Sequence, residues 1–305
     1  MSAATDPQPA RTEELAPALR LVFQGLPPGE RDGRVANALH LLERGELQPE
    51  GFFVLRGRDG PRAAIVCVPV PGASALVWPP ASVADERRKE REDLLVRHAR
   101  RWLQGRGVKL AQALLAPEEA HLAAPLVRND FTYVTDLWYL RHDLQLAAHW
   151  PSAPARLRLE TFAASGVDVF QSALARTYEG SRDCPEVNGV RTIEEVLRGH
   201  QAQGRYDPER WWLARADGEV AGVLLMTEMP ESGDWEVAYV GVVPEARRRG
   251  VGRELMLHAL VEARAAGVPR LTLSVDGRNQ PAWALYRALG FEPYDRRAVF
   301  LAVWR

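Results

Sequence analysis

Apolar positions along this chain follow two rhythms. Compact runs at 52–56, 63–70, 211–215 and 220–229 read as strands, with Asp59-Gly60 and Asp217-Gly218 as turns between them, so each pair of runs predicts a β-hairpin. Elsewhere the spacing is three or four: Val251, Leu255, Ala259 and Ala263 fall on one face of a helix over 250–266. Continued through the second half, the pattern predicts a strand at 156–161, a helix at about 166–178, irregular chain to 190, a helix at 192–201 and then the hairpin. After it come a strand at 235–243, the 250–266 helix, a strand at 271–275, a helix at 281–289 and a final strand pair ending at 298–304. Strands and helices in this alternation build an α/β (α+β) fold, a mixed twisted sheet flanked by helices.

The pattern occurs twice. His98-Ala99, Gly107-Val108 and Phe131 return 160 positions later as His258-Ala259, Gly267-Val268 and Phe291, with no gap needed across more than thirty residues. Upstream the echo continues through small insertions, as Phe52-Phe53-Val54-Leu55-Arg56 resembles Trp211-Trp212-Leu213-Ala214-Arg215. A constant offset of that length implies two copies of one α/β unit. Between them His149-Trp150-Pro151-Ser152-Ala153-Pro154 breaks any helix or strand that approaches it. Tandem domains are therefore expected at 1–148 and 155–305, linked through 147–154.

Composition removes several classes of function. With 305 residues, 46% hydrophobic and 26% charged, the chain can bury two sizeable cores, which excludes disordered and fibrous readings. A formal charge of −1 supplies no bulk field for nucleic acid or anionic membrane, so neither is expected as a partner. Cys67 and Cys184 are the only cysteines, too few for a disulfide framework, which favours a reducing compartment. Residues 1–20 lack the apolar core of a signal peptide, and runs such as 63–68 are far shorter than the ~20 residues of a membrane span. A cytoplasmic protein is expected. Only Lys89 and Lys109 are lysines among 39 basic residues, and with the many alanines this suggests a GC-rich bacterial genome.

The segment richest in chemistry is Val240-Gly241-Val242-Val243-Pro244-Glu245-Ala246-Arg247-Arg248-Arg249-Gly250-Val251-Gly252, set between an apolar strand and an amphipathic helix. Gly250 and Gly252 let the backbone approach a ligand, and the opening turn of a helix presents unpaired N–H groups, which together suit a pyrophosphate. Arg247, Arg248 and Arg249 add charge, and Arg grips phosphate bidentately. Taken alone, an ordinary solvated basic turn reads the same way. The dinucleotide fingerprint Gly-x-Gly-x-x-Gly and the phosphate loop Gly-Lys-Ser/Thr are both absent.

Downstream lies Asn279-Gln280-Pro281-Ala282-Trp283-Ala284-Leu285-Tyr286-Arg287-Ala288-Leu289-Gly290-Phe291, at a strand–helix–strand–helix spacing. Together the two segments resemble motifs A and B of the Gcn5-related N-acetyltransferase (GNAT) superfamily over about 155–305, while the first copy resembles the same fold without the motifs. Among tandem members, the Val-Gly-Val-x-Pro run before the loop resembles the mycothiol synthase type.

The resemblance implies acetyl-CoA as acyl-donor substrate and no metal, with the pyrophosphate on the backbone from Arg248 to Arg253, including Val251 and Gly252, and Asn279 nearby. It also implies that the strand over 236–243 splays from its neighbour to admit the pantetheine arm, with Val242 and Val243 as contact positions. A backbone N–H there would steady the charge that develops on the thioester oxygen. Tyr286 stands where many members place the acid that protonates the departing thiolate, a role suited to a phenol that stays protonated at neutral pH; a core-packing tyrosine is the alternative. Glu236 lies fourteen residues before Gly250, the spacing of the base in several branches. Period two sets Glu236, Ala238 and Val240 on one face, where desolvation would raise the carboxyl pKa toward a useful base; a solvated strand-start residue is the alternative. Glu228 and Asp234 are weaker candidates.

Moved back 160 positions, Gly250 becomes Glu90, Gly252 becomes Glu92, Asn279 becomes Glu119 and Tyr286 becomes Leu126. Carboxylates in place of phosphate-facing glycines repel phosphate, so the first copy is expected to be degenerate. The second copy has gained about a dozen residues around 178–190, since Val22-Phe23-Gln24 aligns with Val169-Phe170-Gln171 at an offset of 147. In the superfamily this loop covers the acceptor side, which implies Tyr178, Glu179, Asp183 and Glu186 at the substrate; a solvated loop is the alternative. His98 and His258 are expected to be structural, and Cys184 a bystander. The resulting expectation is a monomeric or homodimeric acyl-CoA-dependent N-acyltransferase that passes acetyl directly to a primary amine of a small molecule within a ternary complex. Alternatives are a non-catalytic acyl-CoA sensor and a protein N-terminal or lysine acetyltransferase.

Overall fold

The computed structural model describes residues 6–145 and 156–304, so the link expected at 147–154 lies outside the described residues. The chain forms two compact units, Met1–Val134 with Arg297–Arg305, and Thr135–Arg296. In the first, strands β1 (Gln8–Pro9), β2 (Phe52–Gly57), β3 (Gly60–Val70) and β4 (Ser74–Ser82) pair antiparallel in succession. Strand β4 then pairs parallel with β5 (Leu110–Leu115), whose other edge takes residues 298–303 antiparallel. Helices α1 (Thr12–Val22) and α2 (Pro28–Glu43) cover one face, around Leu19, Phe52 and Val54, while α3 (Arg88–Gln104) and α4 (Ala124–Val127) cover the other, around Leu95, Leu103 and Phe131.

The second unit repeats this plan. Its strands are β6 (Thr132–Asp143), β7 (Leu157–Thr161), β8 (Trp211–Ala216), β9 (Glu219–Met229), β10 (Asp234–Val242) and β11 (Arg270–Asp276). Strands β7 to β10 pair antiparallel in succession, β10 pairs parallel with β11, and β11 pairs antiparallel with β6. Helices α5 (Phe162–Ser165), α6 (Val167–Tyr178) and α7 (Ile193–Gln201) pack on one face around Phe170, Leu174 and Trp211; α8 (Val251–Ala265) and α9 (Gln280–Ala288) pack on the other around Leu255, Leu260 and Leu273.

The elements follow their patterns to within about three residues, apart from the last, where one strand, β12 (Glu292–Val303), replaces the expected pair. Val251, Leu255, Ala259 and Ala263 are all buried on α8, and full burial of a Val or Leu side chain is worth ~1.5–3 kcal/mol. The repeated histidines sit alike, His98 edge-on to Phe53 at 4.6 Å and His258 edge-on to Trp212 at 4.8 Å. Among the described residues no helix is long and apolar enough to cross a membrane.

Strand pairing departs from the order of the two sequence copies. The end of the first copy pairs with β11 in the second unit, with Trp138 opposite Val275 and Leu140 opposite Leu273. The end of the second copy pairs with β5 in the first, with Ala298 opposite Leu115 and Phe300 opposite Ala113.

Candidate active site

Parallel pairing of β10 with β11 covers only Trp235↔Leu271, Glu236↔Thr272 and Val237↔Leu273, although β10 continues to Val242 and β11 to Asp276. The two strands therefore part at Val237. A β-bulge marks the place: the register with β9 shifts between Val237 and Tyr239, so Ala238 is the extra residue. Bulges bend a strand and interrupt its ladder. The gap opens a cavity of about 860 Å³ lined by, among others, Val240, Val242, Gly252, Asn279 and Tyr286.

The bulge also changes which side chains share a face. Glu236 opposes Thr227 and Tyr239 opposes Leu225, whereas Val237 opposes Met226 and Val240 opposes Leu224. Glu236 thus lies on the face of Tyr239, while Val240 turns toward α8. The common face expected for Glu236, Ala238 and Val240 does not form, because two residues here face one across the ladder.

Backbone polarity on β10 alternates as well. Val243 donates its N–H to the Ala221 carbonyl at 3.0 Å and its side chain is buried, so the N–H groups of Val240 and Val242 point to the open side. Beyond Val243 the chain turns through Arg248 at φ +64° and Gly250 at φ +85°. A non-glycine residue in this left-handed region is strained, a condition that concentrates at functional loops. The first helical bond of α8 runs from Glu254 N–H to Gly250 O at 3.1 Å, which leaves the N–H groups of Val251, Gly252 and Arg253 without a partner inside the helix. A Cβ on Gly252 would meet only Leu285 at 3.6 Å and Val242 at 3.7 Å. The room beside it is not filled by protein, so this turn fits an approaching pyrophosphate.

The arginines divide by role. Arg248 and Arg253 are exposed and line the cavity, whereas Arg249 is exposed and does not line it. Arg247 lines it too, but its guanidinium is committed to protein carbonyls: Nε donates to Val242 O at 3.1 Å, Nη2 to Thr177 O at 3.1 Å and Glu179 O at 2.6 Å, and Nη1 to Gly180 O at 3.4 Å. The side chain expected at a phosphate instead clamps the end of α6 to the loop. Asn279, a residue of the cavity lining, caps α9 by accepting the Ala282 N–H at 3.4 Å.

Tyr286 is buried on α9 and lines the same cavity. Burial, reinforced by the negative charge of Asp183, pushes its phenol well above the ordinary range, so it keeps its proton. Glu236 is half-buried, and burial alone raises its carboxyl. It stands next to Val237, where the cavity lining on β10 begins, and makes no ion pair among the described residues. The other two carboxylates on this edge are engaged, Glu228 with Arg205 at 3.0 Å and Arg210 at 3.3 Å, and buried Asp234 with Arg270 at 2.9 Å.

In the 178–190 segment, Tyr178 places its hydroxyl 3.1 Å from His200 Nε2 and its ring 5.0 Å from that of Tyr239. Burial lowers His200 to about 4. Glu179 is exposed, and Glu186 forms a two-point ion pair with Arg278 at 2.7 and 3.0 Å. Asp183 lines the cavity, accepts the Asp276 N–H at 3.0 Å, and has its carboxyl raised by burial. Burial, with the charges of Asp183 and Asp276, pushes the Cys184 thiol up to about 12, which leaves almost no thiolate at neutral pH. Three residues not singled out from sequence join this site: Asp276 and Arg278 at the β11–α9 turn, and Thr177, whose hydroxyl lies 2.9 Å from that of Tyr239. An acidic residue closing a buried strand at its carboxyl end was the one available signal for Asp276.

The corresponding turn of the first unit is built differently. There β4 and β5 also part early, after Leu76↔Gln112. Asp85 then receives Arg62 Nη2 at 2.6 Å, Arg91 Nη2 at 2.7 Å and the Arg87 N–H at 2.9 Å. The guanidinium of buried Arg91 also donates to Ser82 Oγ at 2.8 Å and Val83 O at 3.0 Å. Glu90 pairs with Arg87 at 2.9 Å, buried Glu92 with Arg88 at 2.7 Å, and Leu126 packs in the core. A pocket of about 250 Å³ lined by Gln24, Ser82, Arg88 and His121 remains.

Known proteins resemble this chain as follows. The acetyltransferase (GNAT) family matches residues 174–291. A mycothiol acetyltransferase of Beutenbergia cavernae is 34% identical over 226 residues, 66% of this chain and 73% of that protein. Another, of Thermobispora bispora, is 34% identical over 192 residues, 61% of this chain and 63% of that one. Among solved structures, a GCN5-related N-acetyltransferase from Sphaerobacter thermophilus superposes with a TM-score of 0.61 at 22% identity, covering 97% of this chain and 95% of its own. A tandem GNAT protein from the clavulanic acid biosynthesis pathway gives 0.52 at 18% identity, covering 98% and 97%. These two structural likenesses bear on the fold.

Proposed function

The chain belongs to the acetyltransferase (GNAT) family and is an N-acetyltransferase, and from that premise we propose that its second unit passes acetyl from acetyl-CoA directly to a primary amine of a small molecule, in the cytoplasm. The observation that carries this reading is the parting of β10 from β11 into a cavity that ends on the unpaired N–H groups of α8 and the unfilled room at Gly252. Acetyl-CoA supplies an acyl group already activated as a thioester.

In this reading the N–H groups of Val251, Gly252 and Arg253 hold the pyrophosphate, and the side chains of Arg248 and Arg253 lend charge. Val242 serves the thioester carbonyl through its N–H, in preference to Val243, whose N–H is taken by Ala221. As the carbon–nitrogen bond forms and the carbon–sulfur bond breaks, the amine proton passes to Glu236 and the thiolate takes the Tyr286 proton. Burial raises Glu236 toward a working base and holds Tyr286 in its protonated form, the state a proton donor starts from. The loop from 179 to 190, with Asp183 and Tyr178, forms the acceptor side.

The name carried by the sequence relatives makes a mycothiol-type acceptor the first to try. The test is release of free CoA thiol from acetyl-CoA by the purified chain against a panel of small primary amines. Tight donor binding with no thiol released by any member of the panel would sink the proposal.

A further inference from the structure

Asp276 ends β11 with a carboxylate that has no exposed surface, an expensive arrangement unless every lone pair is used. Its Oδ1 accepts the Thr135 hydroxyl at 2.6 Å and the Arg278 N–H at 2.8 Å; its Oδ2 accepts Arg278 Nη2 at 2.7 Å and the Cys184 N–H at 3.0 Å. Asp183 returns the exchange by accepting the Asp276 N–H at 3.0 Å, and Arg278 carries the network on to Glu186. Three points of one loop, residues 183, 184 and 186, are therefore tied to two residues of the turn that leads into the Tyr286 helix. Cys184 sits at φ +41° in that loop, a conformation a non-glycine residue keeps only when its surroundings impose it. Its N–H bond to Asp276 is the restraint on the spot.

We infer that Asp276 is a positioning residue that fixes the 179–190 loop against the donor cavity and thereby sets where the acceptor amine stands relative to Tyr286. The inference rests on the acyl-transfer reading above. Asp276 does not itself line the cavity, whereas Ser181, Arg182 and Asp183 of the loop do, together with Asn279 and Tyr286. Only a carboxylate serves both sides of this network. An amide would turn its NH2 either toward the Cys184 N–H and Arg278 Nη2 or toward the Arg278 backbone N–H, so that donor meets donor on either side, and it would surrender the charge in both cases.

The test compares wild type with D276N in the full-length chain, by steady-state kinetics, calorimetric titration with acetyl-CoA and amide hydrogen exchange. The expected result is an acceptor KM raised roughly tenfold or more, in line with the cost of small misplacements. Acetyl-CoA affinity should stay within about twofold and the loop amides should exchange about tenfold faster. If D276N does not fold, R278K keeps the charge beside Asp276 but not the fork to Glu186, and should show the same pattern at about threefold. Unchanged loop exchange in a folded variant overturns the anchoring; faster exchange with an unmoved acceptor KM overturns the positioning role. A wild-type protein inactive with every amine overturns the acyl-transfer reading instead, and the exchange measurement still decides whether Asp276 holds the loop.

Discussion

The two units share a sheet plan and part their parallel strands within one residue of the same point in the repeat, yet they treat the following turn in opposite ways. In the second, the turn ends in open backbone N–H groups and a glycine beside unfilled room. In the first, a carboxylate of the chain itself, Asp85, collects one backbone N–H and two guanidinium groups. The first unit fills its turn with an anion of its own, whereas the second is proposed to receive one at the opening of α8. The contrast separates two things that the fold joins: the sheet makes the cleft, but a handful of loop residues decide whether anything charged can enter it.

The sharpest way to break this contrast is to give the second unit the first unit's residues. Gly250→Glu with Gly252→Glu should abolish acetyl-CoA binding in calorimetry, since both charge and bulk then oppose the phosphates. The same titration of wild type should give one site per chain, and a stoichiometry of two would show that the first unit retains a donor site. Next in size is Tyr286→Phe, the chemistry that Leu126 lacks. Turnover should fall by ~10² to 10⁴ with donor affinity nearly unchanged, the usual worth of a general acid. Full turnover at saturating substrate would exclude the acid role where chemistry limits the rate.

Glu236→Gln tests the base. Wild-type kcat/KM should drop as pH falls through the raised Glu236 value, and the variant should be slower with that limb flattened. Stability should move the other way. A carboxyl raised by burial penalises the folded state as pH climbs from its unfolded value through its folded one, so the variant should melt higher at neutral pH, with the gain vanishing in acid. Melting curves that coincide at pH 7 would argue against a desolvated carboxylate. The smallest effect is expected for Asp85→Asn. Hydrogen bonds from Arg91 and Arg62 hold this carboxyl well below the usual range, so its contribution is full above the ordinary carboxylate pKa and fades as pH falls. The variant should melt slightly lower at pH 7 and match wild type near the foot of the acid limb.

Much of this contrast was legible in the sequence because its signals are local. Hairpin turns, the α8 stripe, and the exchange of Gly250 and Gly252 for Glu90 and Glu92 all read from neighbouring residues or from a fixed offset. What escaped depends on partners distant in the chain. Whether Ala238 bulges is settled by its register with β9, and that bulge moves Val240 off the face of Glu236. Arg247 looks like a phosphate ligand until the carbonyls of Thr177 and Glu179 arrive from some seventy residues away. The first unit's carboxylates were visible as an obstacle to phosphate, but the residue that sits in the turn is Asp85, five positions before the expected one. Asp276 drew no notice because a single Asp after an apolar strand is commonplace.

The exchanged strands carry a consequence for how the protein is made. Strand β5 is complete at Leu115, but its neighbour begins at Ala298, so the first sheet keeps a bare edge while about 180 further residues are synthesised, roughly 10 to 40 s at ~5–20 residues per second. A bare edge is a template for pairing with other chains. The unit that leaves the ribosome first is thus the last to close, and the few residues a truncation would discard as a tail are its missing strand.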